Sequence, residues 1–221
     1  PIGDLRTDAK ENLITSIQLA SLRKNDKPII QEVCIYFEYK LFRANRATKI
    51  NAENFDAFES PNYPIMAVSG VHLEVKEDLL WKKEIKGPLS INKNLNADVG
   101  VLKIFPGMNR SFIESVLNAP NTKAFIIEAF GTGNVFTDDW FIDLLEEITK
   151  KGIHLIINTQ CAGGMVELGR YATSDALLNM GAISSFDLTM EGAITKAIYL
   201  LGQNLSKEEF KTQYEANLTG E

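Results

Sequence analysis

The run RANRATKIN, residues 43–51, sets Arg43, Arg46 and Lys49 three apart, with Thr48 beside the last of them. Three cations at that spacing stand out in a chain whose net charge is −6. A lysine becomes a proton carrier when desolvation or a nearby cation lowers its pKa. Arg46 could supply that cation, and Asn45 and Thr48 stand close in sequence. On spacing alone, a solvated lysine is the commoner outcome.

Other reactive residue types carry weaker signals. Cys161 follows an apolar run in TQCAGG. A thiol there could act as a nucleophile, but no histidine stands nearby in sequence to serve as its base. A ligand-lining cysteine, or a filler residue, fits better. Cys34 lies inside VCIYF, where a buried thiol is expected. His72 and His154 sit in strand-like runs without a partner at metal-ligand spacing, so no metal site is expected. The turns PGMN, GTGN and TQCAGG each hold glycine at the end of an apolar run. Backbone can approach a ligand closely there, or glycine can simply permit a tight turn. GTGN is not a full GxGxxG fingerprint, and no acidic residue follows at the required distance, which argues against a dinucleotide.

The elements that must position these residues fall in two groups. Asp8 can cap a helix with Leu13, Ile17 and Ala20 on one face, fading by Asn25. EVCIYFE (32–38) reads as a buried strand, with KLFRAN (40–45) as its partner or continuation. Residues 51–64 read as loop, and GVHLEVK (70–76) as a strand. Residues 78–97 are polar, contain Gly-Pro and lack a helical period, so they read as an interdomain linker. Beyond it, VGVLKIF (99–105), KAFIIEAF (123–130) and IHLIIN (153–158) alternate with helices near 110–118 and 137–150. Short β-branched runs alternating with amphipathic helices predict a parallel sheet. Helices near 190–203 and 206–216 close the chain, the second with a capping box from Ser206 and Glu209. The fold class is therefore α/β. Two domains with mainly parallel sheets are expected: residues 1–77 as the end of the first, which is incomplete, and 98–221 as the second.

The bulk numbers narrow the function classes. The chain has 221 residues, is 45% apolar and 24% charged with both signs mixed, as in an ordinary globular protein. An acidic balance without a basic block argues against nucleic acid as a partner. No apolar run is long enough to span a bilayer as a helix. Two cysteines and no signal-peptide pattern fit a reducing cytoplasm. The chain opens with PIGD and not Met, so residues upstream of it are expected.

Taken together, PIGDLRTDAKENL, LFRANRATKINAENFDAFESPNYP, AFGTGN and NTQCAGG…YATSDALLNMGA resemble bacterial type I, cytoplasmic L-asparaginases. The block around Lys49 is the most specific part of the likeness. The resemblance implies hydrolysis of the side-chain amide of L-asparagine to aspartate and ammonia, with no cofactor and no metal. It also implies a homodimer or homotetramer. The family's nucleophilic threonine lies in a TGGT-type motif, and a second threonine and an aspartate in a GTDT-type motif. Neither motif occurs here, so the chain resembles a fragment lacking the N-terminal third. By match, Lys49 is the relay lysine that works with that second threonine and aspartate. Allosteric members bind a second asparagine, and the matching positions are Thr48, Thr159 and Cys161. Glu128 stands where those members carry an arginine for the effector carboxylate. A glutamate there would repel that carboxylate unless protonated or bridged by a cation. Asn134 matches a position that reaches a neighbouring subunit. The related subunit of a tRNA-dependent amidotransferase shares the lysine chemistry, and a non-catalytic binding or interface fragment is the third possibility.

Overall fold

The structure is a computed structural model, and it describes residues 2–82, 88, 90–170 and 172–221. It divides into two compact units. One holds Pro1–Ser90 together with Thr219–Glu221, the other Ile91–Leu218. The chain therefore passes from the first unit to the second and returns for its last three residues. Residues 83–87 and 89 of the expected linker lie outside the described residues.

The first unit opens with helix α1 (Ala9–Ser21). A small hairpin, β1 (Arg23–Lys24) and β2 (Lys27–Pro28), follows it. A four-stranded antiparallel sheet in the order β3-β4-β7-β8 is built from Cys34–Phe37, Lys40–Arg43, Ala67–Ser69 and Leu73–Val75. A separate two-stranded ladder joins β5 (Thr48–Lys49) to β6 (Phe58–Glu59). The core packs Leu19, Tyr36, Leu41, Met66, Ala67 and Leu80. The helix forms where expected, but its apolar face points outward: Leu13 is 51% and Ile17 62% exposed, and Ala20 is exposed too. The inward face is largely polar. Glu11 accepts from the Tyr36 hydroxyl at 2.6 Å, and Asn12 Oδ1 from the Glu38 amide at 3.1 Å, with Leu19 as the apolar anchor. Asp8 does not bond the helix backbone with its side chain; its carboxylate accepts from the side-chain Nδ2 of Asn12 instead, at 3.0 Å.

The second unit is a parallel sheet in the order β12-β11-β10-β9, from Ile183–Ser184, His154–Thr159, Ala124–Ala129 and Val99–Lys103. Alternation in the central strands sends Phe125, Ile127, Leu155 and Ile157 to one face and Ala124, Ile126 and Ile156 to the other. Helices α2 (Arg110–Leu117), α3 (Asp139–Lys150) and α4 (Ala172–Asn179) cover the first face through Ile113, Phe141, Leu145 and Leu177. Helices α5 (Met190–Leu201) and α6 (Lys207–Glu215) cover the second through Ala197, Leu200 and Phe210. Both faces being covered is why the strands read as continuous apolar runs. The capping box of α6 is formed. The α/β class holds; parallel pairing belongs to the second unit, while the strands of the first pair antiparallel. No helix among the described residues is long and apolar enough to cross a membrane.

Candidate functional site

Lys49 ends the strand β5, opposite Phe58 in β6, with Thr48 opposite Glu59. The Ile50 amide donates to Ala57 O at 2.8 Å and extends this short ladder. Phe58 in turn meets Phe37 edge-on, with ring centres 5.2 Å apart. Lys49 itself is exposed, with its Nζ 5.9 Å from the centre of the Phe58 ring.

The two arginines that share its spacing behave differently. Arg43, the last residue of β4, is buried and pairs with Glu32; the two side chains are only 5% and 4% exposed. Its Nη1 donates to Gly220 O at 2.6 Å and its Nη2 to Leu79 O at 2.9 Å, while its guanidinium lies 4.2 Å from the centre of the Tyr63 ring. Glu32 also accepts from the Trp81 amide at 2.6 Å. Residues Ala44–Arg46 form one 3-10 turn, and Arg46 is buried, donating from Nη2 to Asn62 O at 3.1 Å. Its guanidinium sits 5.8 Å from the same Tyr63 ring, whose hydroxyl donates to Leu79 O at 2.7 Å. Arg46 is thus engaged with Asn62 and Tyr63. Sequence spacing picked out Lys49 but missed that Arg43 and Arg46 are the buried scaffold beneath it. Nearby, burial pushes the Cys34 thiol up to about 12, with the charge of Glu32 adding to the effect.

The second group of polar residues lies at the carboxyl ends of β9, β10 and β11, where open parallel sheets bind ligands. Residues 130–134 after β10 close on themselves, with Phe130 and Asn134 exchanging backbone bonds of 2.8 Å. Gly131 and Gly133 take φ of +52° and +112°, so the tight turn itself requires both glycines. The Thr159 hydroxyl donates to Gly131 O at 2.5 Å and accepts from the Cys161 amide at 3.0 Å. Gln160 Nε2 bridges Ile104 O at 2.6 Å and Glu128 O at 2.7 Å, tying the ends of β9 and β10 to the loop after β11. Nothing in the local sequence distinguishes this glutamine from a surface amide.

Glu128 is in register with Lys103 and Asn158, and by alternation it points to the opposite face from Ala129 and Thr159. Lys103 Nζ lies 3.8 Å from its carboxylate and supplies a cation beside it. Cys161 is exposed, and Asn134 is half-buried in its turn. Thr48 and Lys49 belong to the first unit; Glu128, Asn134, Thr159 and Cys161 belong to the second. No group of histidine, cysteine and acidic side chains among the described residues could hold a metal ion. His154 stacks on Phe210 with ring centres 3.8 Å apart, and burial with nearby Lys207 lowers it to about 4.

These parts define a two-unit α/β protein with a lysine presented on a braced hairpin and glycine turns at the carboxyl edge of a parallel sheet. The chain belongs to the glutaminase/asparaginase family: residues 1–81 match the asparaginase N-terminal domain and residues 98–213 the glutaminase/asparaginase C-terminal domain. Over 221 residues it is 35% identical to L-asparaginase 1 of Escherichia coli K12, covering all of this chain and 63% of that protein. It is also 35% identical to the human 60 kDa lysophospholipase, over 222 residues that make up 38% of that protein. The crystal structure of L-asparaginase I from Vibrio cholerae superposes with a TM-score of 0.90 at 35% identity, covering the whole chain and 65% of that structure. The chain thus spans less than two thirds of the length of these relatives.

Proposed function

We propose that this chain is the part of an L-asparaginase that carries the relay lysine, and that the enzyme hydrolyses the side-chain amide of L-asparagine. The 35% identity to L-asparaginase 1 across all of this chain, which covers 63% of that protein, carries this reading. The braced β5–β6 hairpin supports it, because a relay group must be held within a fraction of an ångström of its partners. A threonine outside these 221 residues attacks the amide carbon, and its proton passes through the relay that includes Lys49. The carbon–nitrogen bond then breaks and the nitrogen leaves as ammonia, taking up a proton. Water cleaves the threonyl ester, releasing aspartate and restoring the hydroxyl. The reaction draws on no cofactor. We place the enzyme in the cytoplasm as a homodimer or homotetramer, with Asn134 reaching toward a neighbouring subunit. Thr48, Thr159 and Cys161 are the candidates for a second asparagine site. Glu128 ends the same strand edge but faces away from Thr159, with Lys103 Nζ 3.8 Å from its carboxylate, so it does not take the place of an effector-carboxylate arginine beside Thr159.

A second reading rests on the lysophospholipase that shares the same identity. One experiment separates them. Ammonia release from asparagine and fatty-acid release from lysophosphatidylcholine are measured on the full-length protein and on Lys49→Met. The asparaginase reading expects turnover of asparagine only, with kcat reduced about 100-fold or more in the variant at unchanged melting temperature. Turnover of asparagine by Lys49→Met within threefold of the parent would refute the relay role.

A further inference from the structure

The buried cluster around Arg43 draws on a part of the chain that the relay chemistry does not use. Thr219–Glu221 leave the second unit and belong to the first. There Gly220 O takes Nη1 of Arg43, a bond between residues 177 apart in sequence. Asn45 Nδ2 donates to Thr219 Oγ1 at 3.0 Å and reaches Glu221 Oε2 at 3.5 Å. The Glu221 carboxylate folds back on the Thr219 amide and hydroxyl at 2.7 and 2.8 Å, so the tail is a closed turn. Gly220 has φ of +96°, and a Cβ at that position would fall 2.8 Å from Arg43 Cζ. A side chain there would strain the backbone and displace the guanidinium.

The residues gripped by this tail lead directly into the hairpin that presents Lys49. Arg43 ends β4, Asn45 lies in the 3-10 turn, and Lys49 follows four residues after Asn45. On the exit side of the hairpin, Asn62 and Tyr63 are held by Arg46 and Arg43. The entry and exit of the hairpin are thus fastened to one buried cluster, and the tail closes that cluster. We propose that Thr219–Glu221 is a positioning element, which sets the Lys49 hairpin through Arg43 and Asn45. No residue of the tail takes part in the chemistry; loss of the tail loosens the hairpin and lets the lysine drift. The consequence for turnover rests on the asparaginase reading, whereas the mechanical link does not.

The test uses a variant from which Thr219–Glu221 are deleted. In the full-length protein, amide exchange at Ile50, which bonds Ala57 O, is expected to speed up about tenfold when the tail is removed. Exchange at Ile126 and Ile156 of the second unit is expected to stay the same. Gly220→Ala should reproduce the loss with the tail present. Thr219→Ser, which keeps the hydroxyl that Asn45 donates to, should leave exchange at the parent rate. In the full-length enzyme the tail-less variant is expected to lose about tenfold in kcat with KM within twofold, because a misplaced relay slows chemistry more than binding. Unchanged exchange at Ile50 would overturn the proposal whatever the enzyme does. If exchange rises as expected and Lys49→Met keeps its turnover, the relay reading fails and the mechanical link stands. If Lys49→Met is inactive while the tail-less enzyme keeps its kcat, the positioning role fails alone.

Discussion

Replacing Arg43 by methionine should cost the first unit about 4 kcal/mol. The side chain is 5% exposed and its partner Glu32 is 4% exposed, so solvent cannot screen the charge that remains. Removing one member of a buried ion pair costs about 3–5 kcal/mol, because the other is left uncompensated. Glu32 would keep only the Trp81 amide among the partners described above. Gly220 O and Leu79 O would lose their donor in the same change. The second arm of the cycle is Glu32→Gln, which leaves the guanidinium its two carbonyls and the Tyr63 ring. The double variant removes both charges and should be at least 2 kcal/mol more stable than the sum of the single losses predicts. The chain's two tryptophans make the measurement local: Trp81 lies in the first unit and Trp140 in the second. Urea unfolding followed by Trp81 fluorescence in a Trp140→Phe background therefore reads the first unit. If Arg43→Met shifts stability by less than about 1 kcal/mol, or the two changes simply add, the pair is not the buried interaction described.

The second unit should weaken in mild acid through His154. Its folded value of about 4 lies below the ordinary 6.5, so the unfolded chain binds a proton that the folded one refuses. Stability from this group is complete above about pH 6.5 and is lost progressively as pH falls toward 4. The full shift corresponds to about 3 kcal/mol, reduced to about 1–2 for a half-buried ring that solvent partly screens. Trp140 fluorescence in urea at pH 7 and pH 5 should show this loss, and His154→Phe should remove most of it; equal losses in both proteins would contradict the assignment. The cysteines should separate by reactivity. Iodoacetamide at pH 7.5 should label exposed Cys161 readily in the folded chain and half-buried Cys34 far more slowly until it unfolds, because partial burial keeps the Cys34 thiol protonated. Equal labelling rates read by peptide mass spectrometry would show that Cys34 is open to solvent.

Which elements were legible in the sequence depends on how much of their stability is local. Strands β10 and β11 are largely apolar runs covered on both faces, and helix α6 carries its own capping box. Both kinds of signal survive without tertiary context. Helix α4 and strand β12 were not anticipated: ATSDALLN has small and polar residues in place of an apolar stripe, and IS is two residues long. Its neighbours, not its composition, hold each in place. Helix α1 was legible as a helix, but not its orientation, because periodicity shows that a stripe exists and not which side is covered. The same limit governs the site. RANRATKIN displays three cations, yet only the fold separates the exposed one from the two that are buried. Gly220, whose carbonyl takes Arg43, lies 177 residues away and outside any sequence window, and Arg46 is held by Asn62 and Tyr63.

The return of the tail to the first unit also sets a clock for synthesis. Arg43 leaves the ribosome long before Gly220, which is made 177 residues later. At about 5–20 residues per second, that interval lasts about 10–35 s. Throughout it, the guanidinium can find Glu32 but not the carbonyl that completes its shell. The first unit therefore stays incomplete until Gly220 has been made, and a nascent chain stalled before it would hold a loosened hairpin for as long as the stall persists.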